Sequence, residues 1–329
     1  MKITLLGAGA WGSALAIAFA EKHDVCLWSR EVDVAAELCA SRENKRFFPG
    51  YFLPESVRVE TDFRTAVLDA ELLIVSTPIA GLRPTAERLR ELGVVTPLLW
   101  VCKGFESGTG LLPHQVVADV LGTSAVCGAL SGPSFAEEVA AGQPTAVALA
   151  ATDPVFARQA AQALHASRLR IYANDDLIGV EVGGAVKNVL AIATGVCDGL
   201  RLGLNSRAAL MTRGLAEIAR LGVALGAQRQ TFMGLAGMGD LILTCTGDLS
   251  RNRRVGLALA ENKSLAQILE DLGHVAEGVY TAREVDRLAL TLGVEMPISA
   301  AVAAVLDGRL SAAQALAQLM SRDPKEEIA

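Results

Sequence analysis

The apolar run Lys2-Ile-Thr-Leu-Leu6 leads straight into Gly7-Ala8-Gly9-Ala10-Trp11-Gly12, and a helix-forming segment follows at once. No other stretch of the chain restricts its fold so tightly. Strand, glycine turn and helix in this order form the opening βα unit of a doubly wound sheet. Gly7 makes the tight turn, Gly9 lets the backbone approach a diphosphate, and Gly12 lets helix and strand pack closely. The free N–H groups and the dipole at the helix N-terminus then hold the anion. The segment therefore reads as a dinucleotide-binding turn.

The same stretch superficially imitates a secretory leader, since Met1-Lys2 precedes apolar residues ending in Ala18-Phe19-Ala20. Three glycines interrupt it and a second apolar strand follows, which a leader does not explain. No run elsewhere reads as both long and apolar enough to cross a membrane.

Short apolar runs recur at Val25–Trp28, Leu72–Ser76, Leu98–Cys102, Val126–Leu130 and Thr145–Leu149, with amphipathic stretches such as Ala10–Lys22 and Pro84–Leu92 among them. This alternation predicts a Rossmann-type, mostly parallel sheet with helices on both faces. After about residue 173 only Ala/Leu/Gly-rich segments of helical length remain. Two domains are expected in 329 residues: a dinucleotide-binding domain over 1–172 and an all-helical substrate-binding domain over 173–329. The net charge of −6 argues against a nucleic-acid binder. Six cysteines without a C-x-x-C pair suggest neither a zinc site nor a disulfide framework, and fit a reducing cytoplasm.

The end of the second strand selects the cofactor. Leu27-Trp28-Ser29-Arg30-Glu31 places an arginine where a ribose 2′-phosphate would lie, favouring NADPH. Glu31 beside it keeps NADH open.

Ligands of open α/β sheets gather beyond the carboxyl ends of the strands. Three such ends carry polar sequence: Ser76-Thr77-Pro78, Lys103-Gly104, and Ser131-Gly132-Pro133-Ser134-Phe135-Ala136. In the helical half, Gly183 and Gly184 share a helix face with Lys187 and would leave room beside its ammonium. A lysine buried in an apolar helix has a lowered pKa and can exchange a proton. Asp240 and Thr244 stand one turn apart as the polar members of an apolar face, with Asp240 also placed to cap a helix. Ser250-Arg251-Asn252-Arg253-Arg254 offers a basic cluster at a helix start, suited to a phosphate. The four histidines fall in no recognisable constellation, so lysine is left as the acid/base.

Six ordered motifs together resemble the bacterial-type NAD(P)-dependent sn-glycerol-3-phosphate dehydrogenase family. They are Gly7–Gly12, Lys103-Gly104, Ser131–Ala136, Gly183-Gly-Ala-Val-Lys-Asn188, Gly237-Met-Gly-Asp240 and Ser250–Arg254. The resemblance implies reversible reduction of dihydroxyacetone phosphate to sn-glycerol 3-phosphate for phospholipid synthesis, by a cytoplasmic homodimer. It implies Lys187 as acid/base, with Asp240 beside it in the catalytic group. Lys103, Gly132, Ser134, Lys187, Asp240, Ser250, Arg251 and Asn252 fall on substrate positions. Trp11, Arg30, Lys103, Ala136, Arg251, Val275 and Glu277 fall on cofactor positions. Two departures occur: Phe105 where leucine is common, and Ala10 where many members carry a hydroxyl. Two other readings stay open: a β-hydroxyacid or 6-phosphogluconate-type dehydrogenase, and a non-catalytic NAD(P)H sensor.

Overall fold

The computed structural model describes residues 1–272 and 276–323. The strands are β1 (Lys2–Leu6), β2 (Asp24–Trp28), β3 (Glu43–Asn44), β4 (Phe48–Phe52), β5 (Arg58–Glu60), β6 (Leu72–Val75), β7 (Leu98–Trp100), β8 (Cys127–Ser131), β9 (Thr145–Ala151) and β10 (Leu169–Asn174). Helices α1 (Ala10–Phe19), α2 (Val32–Ser41), α3 (Phe63–Leu68), α4 (Leu82–Glu91), α5 (Pro113–Leu121), α6 (Ala136–Ala140) and α7 (Pro154–Leu164) lie between them. Eight strands form one sheet in the order β10-β9-β8-β7-β6-β1-β2-β5, while β3 and β4 make a separate antiparallel hairpin. Every pairing in the large sheet is parallel except β8 with β9. The expected α/β architecture is therefore present.

Its central strands are apolar on both sides because both faces are covered. One core layer gathers Leu5, Leu15, Phe19, Leu27 and Ile74, and the other gathers Leu6, Leu73, Val75, Leu98 and Trp100. From β1 the chain winds outward through β2 and β5, then returns to β6 and winds the other way. The order thus reverses between β1 and β6, where such sheets open a ligand crevice. Gly7 lies at that point with φ +127°, its backbone N–H bonded to the Trp28 carbonyl at 3.0 Å. A methyl group on Gly12 would overlap the Gly7 carbonyl oxygen, which explains a glycine there.

β10 was hidden in the sequence because exposed Arg170 and Tyr172 alternate with buried Leu169 and Ile171. Beyond it the chain is helical: α8 (Leu177–Gly199), α9 (Gly203–Ala224), α10 (Asp240–Thr246), α11 (Arg251–Ala260), α12 (Leu265–Leu272), α13 (Glu277–Leu292), α14 (Pro297–Leu306) and α15 (Ala312–Met320). Asp176 starts α8, accepting bonds from the Gly179 and Gln228 amides and the Thr231 hydroxyl at 2.9, 2.8 and 2.6 Å. The expectation of no membrane-length helix needs correction. The 23 residues of α8 are long and apolar enough by length and composition, but 94% of that window is buried inside the fold. Such a helix, apolar all round, is the axis about which the others pack. Leu177 and Val180 also join the core layer beneath Trp100, so α8 is anchored to the sheet.

Replacing Gly12 with alanine is expected to destabilise the protein by about 1–3 kcal/mol through overpacking against Gly7. Urea denaturation measures this, and a change within about 0.5 kcal/mol would contradict the close approach.

Candidate functional site

Three elements deliver the polar centre. Lys103 follows β7 at the carboxyl edge of the sheet, Lys187 projects from the middle of α8, and Asp240 is the first residue of α10. Their side chains converge. The Asp240 carboxylate, 1% exposed, accepts a hydrogen bond from Lys187 Nζ through Oδ1 and another from Lys103 Nζ through Oδ2, the latter at 2.6 Å. Lys187 Nζ also donates to Thr244 Oγ1 at 2.8 Å, and that hydroxyl in turn donates a hydrogen bond to the Asp240 carbonyl at 2.6 Å. Asp240 makes no cap of its own; a π-helical turn over Leu235–Gly239 runs directly into α10, and its carboxylate serves the two lysines instead.

Burial is the chief influence on Lys187 and lowers its pKa to about 8. The Asp240 carboxylate opposes this and the Lys103 charge reinforces it. An amine titrating near neutrality is suited to proton transfer. The paired glycines beside it act differently from expectation. A methyl on Gly183 would strike the Ala236 carbonyl, and one on Gly184 would lie 2.6 Å from Ser131 Oγ. They bring neighbouring chain close to α8 and do not leave free space.

The other expected substrate residues lie around this centre. The Gly132 carbonyl accepts bonds from Lys103 Nζ at 3.3 Å and Ser134 Oγ at 2.9 Å. Ser250 caps α11, its hydroxyl oxygen accepting from the Arg253 amide at 3.2 Å. The basic cluster is smaller than its sequence suggests. Arg253 is bound by Asp198 and Asp248, and Arg254 donates to the Asp248 carbonyl. Arg251 is exposed and makes no ion pair among the described residues, which leaves its guanidinium available. Asn252 is buried as a bridge: its amide donates to Asn188 Oδ1 and its carbonyl accepts from the Gly278 amide, both at 3.0 Å. Glu277 opens α13 nearby, where burial raises its pKa and the charges of Arg251, Lys103 and Lys187 pull it back.

Three of the expected cofactor residues meet at the glycine turn. Ala10, Trp11 and Ala136 pack together around Ala14, Phe48 and Val139. Gly9 faces open space, with no atom within 4 Å of where a Cβ would stand. That opening, a helix N-terminus and the reversal of strand order together fit a dinucleotide diphosphate. Arg30 lies exposed at the end of β2, paired with Glu31 at 3.0 Å, and is not part of the lysine–aspartate centre. Val275 lies outside the described residues.

One ionisable pair escaped the sequence. His114 donates its backbone amide to Glu181 Oε1 at 2.9 Å, and its ring Nδ1 meets Oε2 of the same carboxylate. Burial raises the Glu181 pKa, and the His114 contacts lower it. The pair joins α5 to α8, so one histidine does belong to a constellation, though a structural one six residues before Lys187.

Known proteins share the sequence pattern and fold of this chain. The model of the NAD-dependent glycerol-3-phosphate dehydrogenase N-terminus matches residues 2–157, and that of the C-terminus of the same family matches 176–317. The chain belongs to this family. It is 82% identical over 329 residues, all of both chains, to the glycerol-3-phosphate dehydrogenase [NAD(P)+] of Dechloromonas aromatica. A relative of the same name from Aromatoleum aromaticum is 60% identical over 99% of this chain and 100% of its own. The crystal structure of glycerol-3-phosphate dehydrogenase from Coxiella burnetii superposes with a TM-score of 0.93 at 42% identity, covering 98% of this chain and 99% of that one. D-mandelate dehydrogenase, at 14% identity and a TM-score of 0.63 over 94% of this chain and 98% of that one, shares the fold alone.

In an Asp240→Asn variant, burial and Lys103 both still push the Lys187 pKa down while its main opposing charge is gone. Its titration, followed by lysine-selective NMR, is expected to fall below about 8. A rise would show that Asp240 is not the group sustaining the ammonium.

Proposed function

We propose that this protein reduces dihydroxyacetone phosphate to sn-glycerol 3-phosphate with NADPH or NADH, reversibly, as a source of backbone for glycerophospholipids. The observation that carries the reading is the buried Lys103–Asp240–Lys187 centre beside a dinucleotide turn in a member of this family. The substrate class follows from the charges. Two lysines share one carboxylate, so the centre carries an excess positive charge suited to a phosphate ester, and Arg251 adds a free guanidinium.

When bound, NADPH or NADH would supply the hydride that reduces C2 of the ketone. Lys187 gives its proton to the carbonyl oxygen as negative charge develops there, and recovers one from solvent after the product leaves. Asp240 and Thr244 hold the Lys187 ammonium in one orientation. Lys103, Gly132, Ser134, Ser250, Arg251 and Asn252 bind the substrate, with Asn252 acting partly through Asn188. Gly7, Gly9, Ala10, Trp11, Gly12, Ala136 and Glu277 surround the cofactor, with Lys103 and Arg251 between the two ligands. Arg30 turns from Glu31 to a 2′-phosphate, which favours NADPH.

Division into two domains near residue 173 is supported by the end of the sheet at Asn174. A homodimer is supported by an open groove of about 1560 Å³ among α8, α9, α14 and α15, lined by Ile192, Leu210, Val302 and Leu316. Sedimentation equilibrium should give twice the 34.4 kDa chain mass, and a monomer at micromolar concentration would refute it. All six cysteines are free thiols, five of them buried.

Oxidation of NADPH and of NADH with dihydroxyacetone phosphate is the test. Lys187→Ala should lower turnover by about 10²–10⁴-fold, and Arg30→Ala should lower the NADPH/NADH ratio of kcat/KM. Because reduction needs the protonated amine, its rate should fall as pH rises through about 8, while oxidation of the product should rise there. Full activity in Lys187→Ala, or the opposite pH limbs, would refute Lys187 as the proton donor.

A further inference from the structure

Asn44 belongs to the small β3–β4 hairpin and matches no motif read from the sequence, yet it is 1% exposed and fully engaged. Its side-chain amide donates to the Ala8 carbonyl at 2.7 Å and to Ser13 Oγ at 3.0 Å, while its Oδ1 accepts from the Phe47 backbone amide at 3.1 Å. Ala8 is the second residue of the glycine turn and Ser13 lies in α1. One buried side chain from a distant hairpin therefore grips both the turn and the helix it opens.

The orientation of the Ala8–Gly9 peptide follows. A trans peptide carries its C=O and N–H on opposite sides. With the Ala8 oxygen drawn inward to Asn44, the Gly9 N–H points the other way, and among the described residues it donates to no protein atom. Gly9 also faces open space. A glycine flank makes rotation of this peptide easy, because glycine adopts conformations closed to other residues. After rotation, a carbonyl oxygen would replace the N–H and repel a phosphate.

We propose that Asn44 is a positioning residue for the dinucleotide: by holding the Ala8 carbonyl it fixes the Gly9 N–H toward the diphosphate. The inference rests on the cofactor reading above and assigns Asn44 no contact with the ligand.

Asn44→Asp retains an acceptor for the Phe47 amide but loses both donors and sets a carboxylate against the Ala8 oxygen. Asn44→Ala removes the donors without adding charge. Ser13→Ala deletes only the second partner. Intrinsic fluorescence titration should show NADPH and ADP-ribose bound about tenfold more weakly by either Asn44 variant, corresponding to loss of one well-made bond. Binding of 2′-AMP, which has no diphosphate, should change less than about twofold, as should kcat at saturating NADPH. Ser13→Ala should bind NADPH like the wild type. Equal NADPH affinity in wild type and both Asn44 variants would overturn the proposal. So would parallel losses for 2′-AMP and ADP-ribose, which indicate general loosening of the hairpin. Failure of the wild type itself to bind NADPH would instead remove the cofactor reading, and this inference with it.

Discussion

Everything at this site depends on one carboxylate shared by two ammonium groups. Asp240 is buried, and Lys103 and Lys187 reach it from opposite sides, one from the sheet edge and one from the central helix. Burying Asp240 and Lys187, with Lys103 partly buried beside them, is costly, and one carboxylate cannot neutralise two ammonium groups. The protein keeps that imbalance because it creates a pocket of excess positive charge whose amine titrates near neutrality. The same cost explains the dense support: Thr244 holds Lys187, and the Gly132 carbonyl accepts a second hydrogen bond from Lys103.

The fold supplies the convergence. Reversal of strand order between β1 and β6 opens the crevice, and β7 and β8 end beside it with Lys103 and Gly132. α8 crosses beneath, buried over nearly its whole length. Gly183 and Gly184 allow the segment before α10 and the Ser131 loop to close on it. Lys187 and Asp240 are 53 residues apart in sequence, so close packing of these backbones is what places an acid against a base.

Much of this was legible where chemistry and local spacing coincide. Gly7–Gly12 declares its turn within six residues, and Lys187 in an apolar helix declares a perturbed amine. Contacts between distant segments were not legible. Nothing local links His114 to Glu181, 67 residues on, or Asn44 to Ala8 across α1, β2 and α2. The arginine run around residue 251 looked like one basic cluster, because the acids that neutralise Arg253 come from Asp198 and Asp248 on other turns. The two glycines near Lys187 suggest open space in the sequence, whereas in a packed interior a missing side chain is filled by a neighbour's backbone. β10 was missed because its exposed residues break the apolar run that marked the inner strands.

The central claim is that Asp240 works by holding the lysines, not as an independent catalytic group. A double-mutant cycle on kcat/KM with Lys187→Ala and Asp240→Ala tests it most directly. Groups acting as a unit are non-additive. The double variant should therefore be slower than Lys187→Ala alone only by the part of the Asp240 contribution that acts through Lys103, well short of the product of the two single losses. A double variant whose loss equals the product of the two single losses would show that the carboxylate and the amine act independently, and would contradict the account.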